Sequence, residues 1–285
     1  VNYYIHNLDP FFWRITRNFG VRWYGLAYLA GFLVAWLLLR RLSRRGEFPV
    51  PVGELENFIL WIALAGVMAG GRIGYALFYA RDLLFSDPLF LLRIWEGGMA
   101  SHGGILGVIA VLAVYARRHR VGFWELTDGM ALVAPAGLFF GRLANFINGE
   151  LWGRVTRVPW AVIFPQEAGL GPDASRGRVL ELVQAGLLHP RHPSQLYEAL
   201  GEGLLLFGLL WLFRRAPACL RPGFTSAAFL ILYAVARIGS ECFREPDSAL
   251  VMGLSKGQFF SLFMLAGGLW LLLRKRASLS SSRSR

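Results

Sequence analysis

Charge is scarce in this chain, and negative charge is scarcer still. Only 17% of its 285 residues are charged, and 18 acidic residues face 30 basic ones, while 55% are hydrophobic. That balance points to a membrane protein. Cysteine is nearly absent, with two in all, and no zinc-type spacing joins them to the five histidines, so no metal is expected. No internal repeat is present, which argues against a transporter built from inverted repeats. Gly-x-Ser-Gly, Gly-x-Gly-Asp and His-Glu-x-x-His are all missing, which leaves an intramembrane protease only the weak Ser101-His102 neighbourhood. Nor is there a continuous basic helix or an aromatic-interleaved basic patch, so the formal net charge of +12 is not a nucleic-acid footprint.

What the chain does have is long apolar runs. Mean hydropathy is +0.45, several stretches approach the roughly 20 residues needed to cross a hydrocarbon core, and seven spans can be drawn: about 22–40, 58–79, 102–116, 124–143, 195–213, 224–241 and 257–273. The expectation is an all-α integral membrane protein with about seven transmembrane helices. Fifteen of the 30 basic residues fall in Arg40/Arg41/Arg44/Arg45, Arg117/Arg118/Arg120, Arg214/Arg215/Arg221 and Arg274/Lys275/Arg276/Arg283/Arg285, all on one side of that arrangement. The positive-inside rule makes that side cytoplasmic and places the N-terminus outside, the C-terminus inside. Cys219 and Cys242 then lie on opposite sides, so no disulfide is expected. A cleaved signal peptide is the lesser reading of the first span, because the run exceeds a 7–15-residue signal core and its charges follow it.

Residues 1–276 read as a single membrane-embedded domain. Around Asp9-Pro10 the rings of Phe11, Phe12, Trp13 and Phe19 resemble a short helix lying in the outer interface. The segment 148–193, with prolines 159, 165, 172, 190 and 193, reads as a small extracytoplasmic cap carrying a strand-like run at Pro159–Phe164. The Ser/Arg-rich tail 277–285 is expected to be disordered and cytoplasmic. Gly66, Gly70 and Gly74 form a small-residue stripe for close helix packing.

Three arginines fall inside spans: Arg72, Arg142 and Arg237. Each costs roughly 2.5–3.5 kcal/mol at a bilayer centre on insertion scales, so each needs a partner or a wet cavity. Tyr233, Arg237 and Glu241 recur every four residues, with Arg244 three later, near one helical face. Arg72 has Tyr75 and Tyr79 at +3 and +7; Arg142 has Asn145 at +3, then Asn148 and Glu150. In one reading Glu241 neutralises Arg237 and the other polar groups bond between helices. In the other, favoured here, the arginines converge and an anionic ligand completes the balance, because no acidic partner for each arginine is evident within the spans. His102, flanked by Gly103 and Gly104, is the candidate proton acceptor, with an ordinary pKa near 6.5.

Arg22-Trp23-Tyr24-Gly25-Leu26, Gly70-Gly71-Arg72-Ile73-Gly74-Tyr75, Gly97-Gly98-Met99 with His102-Gly103-Gly104, the run Gly141–Gly153, His192-Pro193-Ser194-Gln195-Leu196-Tyr197-Glu198, and Phe243-Arg244 before Pro246-Asp247 resemble the prolipoprotein diacylglyceryl transferases of the bacterial inner membrane. The resemblance covers nearly the whole chain. It implies that phosphatidylglycerol gives its diacylglyceryl group to the lipobox cysteine thiol of a preprolipoprotein, releasing glycerol-1-phosphate, as the first step of lipoprotein maturation and with no cofactor. It implies catalytic roles for His102, Arg142 and Arg237, and functional roles for Tyr24, Asn145, Glu150, Gly153, Tyr233 and Glu241. Arg72 and Arg244 join the substrate-binding set from their place on the spans. Ala100-Ser101 stand where the family usually has Ser-Phe, and Ala144 where it usually has Gly, both small changes of shape.

The residues suit that chemistry. A histidine can assist a thiol whose free pKa is near 8.5, and arginine's planar, permanently charged fork suits a phosphate leaving group. The remaining alternative is a membrane transporter or binding protein for an anionic lipid or solute. A binding scaffold would need the arginines and tolerate loss of His102.

Overall fold

The computed structural model describes residues 3–16, 19–93, 97–216, 221–246 and 250–283. Cys219, Asp247 and Arg285, on which sequence expectations fell, lie outside them. The chain forms two compact units, 1–35 with 131–285 and 36–130. Six helical stretches are long and apolar enough to cross a membrane among the described residues: Trp23–Arg44, Val52–Tyr79, Phe123–Asn148, Ser194–Phe213, Phe224–Glu241 and Lys256–Arg274. The protein is thus all-α in its membrane part, as expected. The remaining expected span is also a helix, Ser101–His119, but falls outside that set of six. Between its glycine-rich start and its basic end, the apolar run 105–116 is shorter than the ~20 residues a crossing asks for.

In the smaller unit, the chain from Trp36 completes helix α1 (Trp23–Arg44), whose last turn carries Arg41 and Arg44, where cations suit the helix dipole. Helix α2 (Leu55–Trp61) runs without a break through a π-helical stretch, Ile62–Ala69, into α3 (Gly70–Tyr79). The short α4 (Arg81–Ser86) follows, then α5 (Ser101–His119). The stripe Gly66/Gly70/Gly74 does what small residues do between helices: it meets Gly103 and Gly107 of α5. A Cβ on Gly70 would lie 2.6 Å from the Gly103 carbonyl oxygen, and one on Gly74 2.5 Å from the Gly103 Cα. Gly103, which flanks His102, is spent on this crossing.

The larger unit contains the rest of α6 (Phe123–Asn148), with Pro135 inside it, and α8 (Ser194–Glu198), which passes through a second π-helical stretch, Ala199–Leu205, into α9 (Leu206–Phe213). Helices α10 (Phe224–Glu241) and α11 (Lys256–Arg283) complete it. Helix α11 carries the backbone into the tail expected to be disordered, as far as Arg283.

The segment before α1 corrects one expectation. It is a β-hairpin, β2 (Phe11–Arg14) against β3 (Gly20–Arg22), and not an interfacial helix. Phe-Phe-Trp is a run of strand formers. Asp9 closes the entrance by accepting from the Phe11 amide at 2.9 Å and from Arg14 at 2.8 Å. Phe12, Trp13 and Phe19 remain more than half exposed.

The cap holds together around Ile163, Val179 and Leu188, joined by Tyr3, Ile5 and Leu182. Its strand is shorter than expected, only β4 (Val162–Ile163), which pairs in parallel with β1 (Tyr4–Ile5). It also contains an unforeseen helix, α7 (Arg176–Gln184), capped by Ser175, whose Oγ accepts from the Arg178 amide at 3.3 Å.

Candidate active site

The end of α6 starts the site. Past Asn148 the chain turns through Gly149 (φ +64°) and Leu151 (φ +59°), left-handed positions that break the helix and that glycine occupies most easily. The turn is fastened to the start of α8: Gln195 Nε2 donates to the Glu150 carbonyl at 2.6 Å, and Ser194 Oγ to that of Leu151 at 3.0 Å. Gly153 then threads between two other backbones. Its amide donates to the His192 carbonyl at 2.9 Å, and a Cβ there would lie 2.5 Å from both the His192 and Phe243 carbonyl oxygens. Gly153, expected among the substrate-binding residues, is a backbone crossing on this geometry.

Within α6 itself, Asn145 Nδ2 donates to the Tyr24 hydroxyl at 2.6 Å and to Glu150 Oε1 at 2.7 Å. One turn earlier lies Arg142, and its partners are carboxylates. Its Nε and Nη2 donate to Glu202 Oε2 at 3.2 and 3.0 Å, and its Nη1 pairs with Glu198 Oε2 at 2.8 Å. From α10, Arg237 Nη1 pairs with Glu198 Oε1 at 2.9 Å and Glu202 Oε1 at 3.2 Å, and its Nη2 with Glu241. Arg244, beyond the end of α10, reaches Glu198 Oε1 at 3.1 Å. Ser240 Oγ lies 3.5 Å from Glu202 Oε1. Tyr233 lies one turn before Arg237 on α10. The side chains of Glu198 and Glu202 are 1% and 0% exposed, so both are removed from water.

This overturns the charge balance read from sequence. Glu198 and Glu202 are the partners thought to be missing, and an arginine in an apolar helix does not by itself call for a ligand here. The signal for them was present: two glutamates four residues apart in an apolar span are as costly there as an arginine. Glu198 lies in the His192–Glu198 motif, and Glu202 follows it by four residues.

In the other unit, Arg72 is 3% exposed and bonded to backbone. Its Nη1 donates to the carbonyls of Gly97 and Gly98, the latter at 3.1 Å, and its Nη2 to those of Phe90 and Arg93, at 2.5 and 2.8 Å. The Phe90 ring lies 5.1 Å from the guanidinium carbon. Of the three arginines expected to converge, Arg142 and Arg237 meet each other, and Arg72 is accounted for by its own loop. His102 is exposed in the first turn of α5. Tyr75 and Tyr79 stack on one another with centroids 5.9 Å apart.

Apolar helices of membrane-spanning length around three buried glutamates, the buried Arg244 and the partly exposed Arg142 and Arg237 define a multi-pass membrane protein with an ionic core. Comparison with known proteins narrows that class. The sequence model described as prolipoprotein diacylglyceryl transferase matches residues 10–274. Proteins named phosphatidylglycerol–prolipoprotein diacylglyceryl transferase are similar to the chain. The one from Rhizobium meliloti (strain 1021) is 43% identical over 286 residues, covering 96% of this chain and 95% of its own. The one from Rhodospirillum centenum is 46% identical over 259 residues, with 89% and 87% covered. The one from Idiomarina loihiensis is 44% identical over 277 residues, with 95% of each covered. The chain belongs to the prolipoprotein diacylglyceryl transferase family.

Proposed function

We propose that this protein transfers the diacylglyceryl group of phosphatidylglycerol to the lipobox cysteine thiol of a preprolipoprotein, from the outer face of a bacterial inner membrane. The N-terminus would be periplasmic and the C-terminus cytoplasmic, on the side of the arginine-rich loops. One observation supports the reading most: Arg142 and Arg237, from two different apolar helices, are aimed at the same pair of buried carboxylates. Two preorganised guanidiniums are what a departing phosphate needs.

In the reaction, the thiol proton passes to His102 and the sulfur attacks the glycerol carbon that bears the phosphate. A C–S bond forms and the C–O bond breaks. The bonding pair leaves on the phosphate oxygen as glycerol-1-phosphate, which Arg142 and Arg237 receive. A terminal guanidinium nitrogen carries two N–H groups, so Nη1 and Nη2 of Arg142 and Nη2 of Arg237, each paired to one carboxylate, still offer a hydrogen to phosphate oxygen. Tyr24, Asn145, Glu150, Tyr233, Glu241 and Arg244 complete the binding set. Arg72 belongs to it by shaping the loop before α5, and Gly153 by holding the turn after α6.

The test is mass-spectrometric detection of the thioether on a lipobox peptide, using purified protein and phosphatidylglycerol. His102→Ala is expected to abolish transfer, a loss of at least the ~10²–10⁴ that acid–base catalysis contributes, with unfolding temperature unchanged. Undiminished turnover would remove His102 from the chemistry, and absence of any thioether with the unaltered protein would remove the reading itself.

A further inference from the structure

Glu198 and Glu202 stand where the arginines would receive phosphate, yet the transfer chemistry gives neither of them a task. Three guanidiniums (Arg142, Arg237, Arg244) and three carboxylates (Glu198, Glu202, Glu241) make a cluster of zero formal charge. An anion entering it competes with carboxylates already bound. The backbone favours the arrangement: Glu198 ends α8 and Glu202 lies in the π-helical Ala199–Leu205 that follows, and such stretches recur at functional sites. Each carboxylate touches both Arg142 and Arg237. Without them, two like charges held this close would repel and splay.

The two phosphates of the reaction also differ. A donor phosphodiester carries one negative charge, whereas a phosphate monoester carries about −1.5 to −2 at pH 7. Bare arginines would therefore hold the product more tightly than the substrate. We propose that Glu198 and Glu202 are resident counter-anions: they fix the mutual orientation of Arg142 and Arg237, and they weaken phosphate binding so that the released monoester leaves by exchange with carboxylate. This rests on the reading of Arg142 and Arg237 as the phosphate site and extends it to how that site empties.

Glu202→Gln keeps the shape and an acceptor oxygen for Arg142 while removing the charge. In the detergent-purified full chain, glycerol-1-phosphate binding is measured directly by calorimetry, alongside kcat and the KM for phosphatidylglycerol. The expected result is glycerol-1-phosphate bound about tenfold more tightly, equivalent to 1.4 kcal/mol, with kcat lowered and the donor KM not raised. A residue that only supports the fold would lower kcat or yield without tightening the anion. Glu202→Asp, which keeps the charge, is expected to lose kcat with no gain in anion affinity. Glu198→Gln repeats the measurement should Glu202→Gln not fold. Unchanged or weaker glycerol-1-phosphate binding in a folded glutamine variant overturns the counter-anion role even where transfer by the unaltered protein is intact. Tighter binding in a protein that shows no transfer would keep this role and overturn the functional reading.

Discussion

Arg72 and Arg142 enter the structure from the same local sequence, a Gly-Arg pair inside an apolar run, and they are solved in opposite ways. Arg72 is surrounded by neutral dipoles: carbonyls of residues 90, 93, 97 and 98 take its hydrogens, and the charge itself has no carboxylate among those partners. Arg142 is neutralised by formal charge from another helix, Glu198 and Glu202. The first arginine organises a loop, since the chain must curl back to bring its carbonyls to one point. The second organises a bundle, since its partners lie 56 and 60 residues away. A buried arginine thus announces a need for partners and is silent about which kind. Only the second kind can exchange a carboxylate for a phosphate without dismantling backbone structure.

The comparison breaks most visibly at the carboxylates. Glu202→Ala leaves Nε and Nη2 of Arg142 buried without their acceptor, and removing one member of a buried ion pair costs about 3–5 kcal/mol. Thermal unfolding in detergent is expected to fall accordingly, with transfer lost as well. An unchanged unfolding temperature would mean that the pair is solvated and the cluster is not a core. Arg72→Met is expected to cost less, about 1–3 kcal/mol for buried acceptors left without donors, and to act locally. Limited proteolysis between Arg81 and Arg93 should accelerate in that variant while the ionic cluster of the other unit stays intact. Global unfolding equal to that of Glu202→Ala would erase the distinction between the two arginines.

Much of the fold was legible in sequence because apolar length is a sum over residues and needs no knowledge of contacts. The glycine stripe at 66, 70 and 74 was legible for a similar reason, as its spacing matches one helical face. The hairpin at Phe11–Arg22 was not, since an aromatic run with interspersed arginines suits an interfacial helix and a strand equally, and Asp9's side-chain bonds decide between them. Tyr233, Arg237 and Glu241 were found by helical spacing within one element. Glu198 and Glu202 were missed because their partners come from α6 and α10, and pairing across elements leaves no periodic trace. Weighing glutamates in apolar spans as seriously as arginines would have exposed them.

A third buried, chargeable group sharpens the comparison by staying neutral. His6, fully buried in the cap, lies 2.7 Å from the Phe146 carbonyl through Nε2 and 2.9 Å from Gln166 Nε2 through Nδ1. Nε2–H therefore donates and Nδ1 accepts, which is the neutral tautomer, and burial holds the pKa below its ordinary 6.5. Because the folded pKa lies below the unfolded one, the unfolded chain binds more protons between the two values. Stability is then complete above about pH 6.5 and falls as pH drops toward the folded pKa, by at most about 1.4 kcal/mol per pH unit. His192 is lowered by burial as well and adds in the same direction. Hydrogen exchange reads this at the His6 amide, which donates to the Ile163 carbonyl at 2.9 Å. Exchange corrected for its intrinsic rate should quicken between pH 7 and pH 5.5, and His6→Gln, whose amide can both donate to Phe146 and accept from Gln166, should flatten part of that rise. The end of α6 that bears Asn145 would then be held at neutral pH by an uncharged imidazole, in contrast to Arg142 one turn earlier, which keeps its charge. A profile independent of pH in the unaltered protein would mean that His6 accommodates a proton in place, and that the cap, like the arginine cluster, tolerates charge.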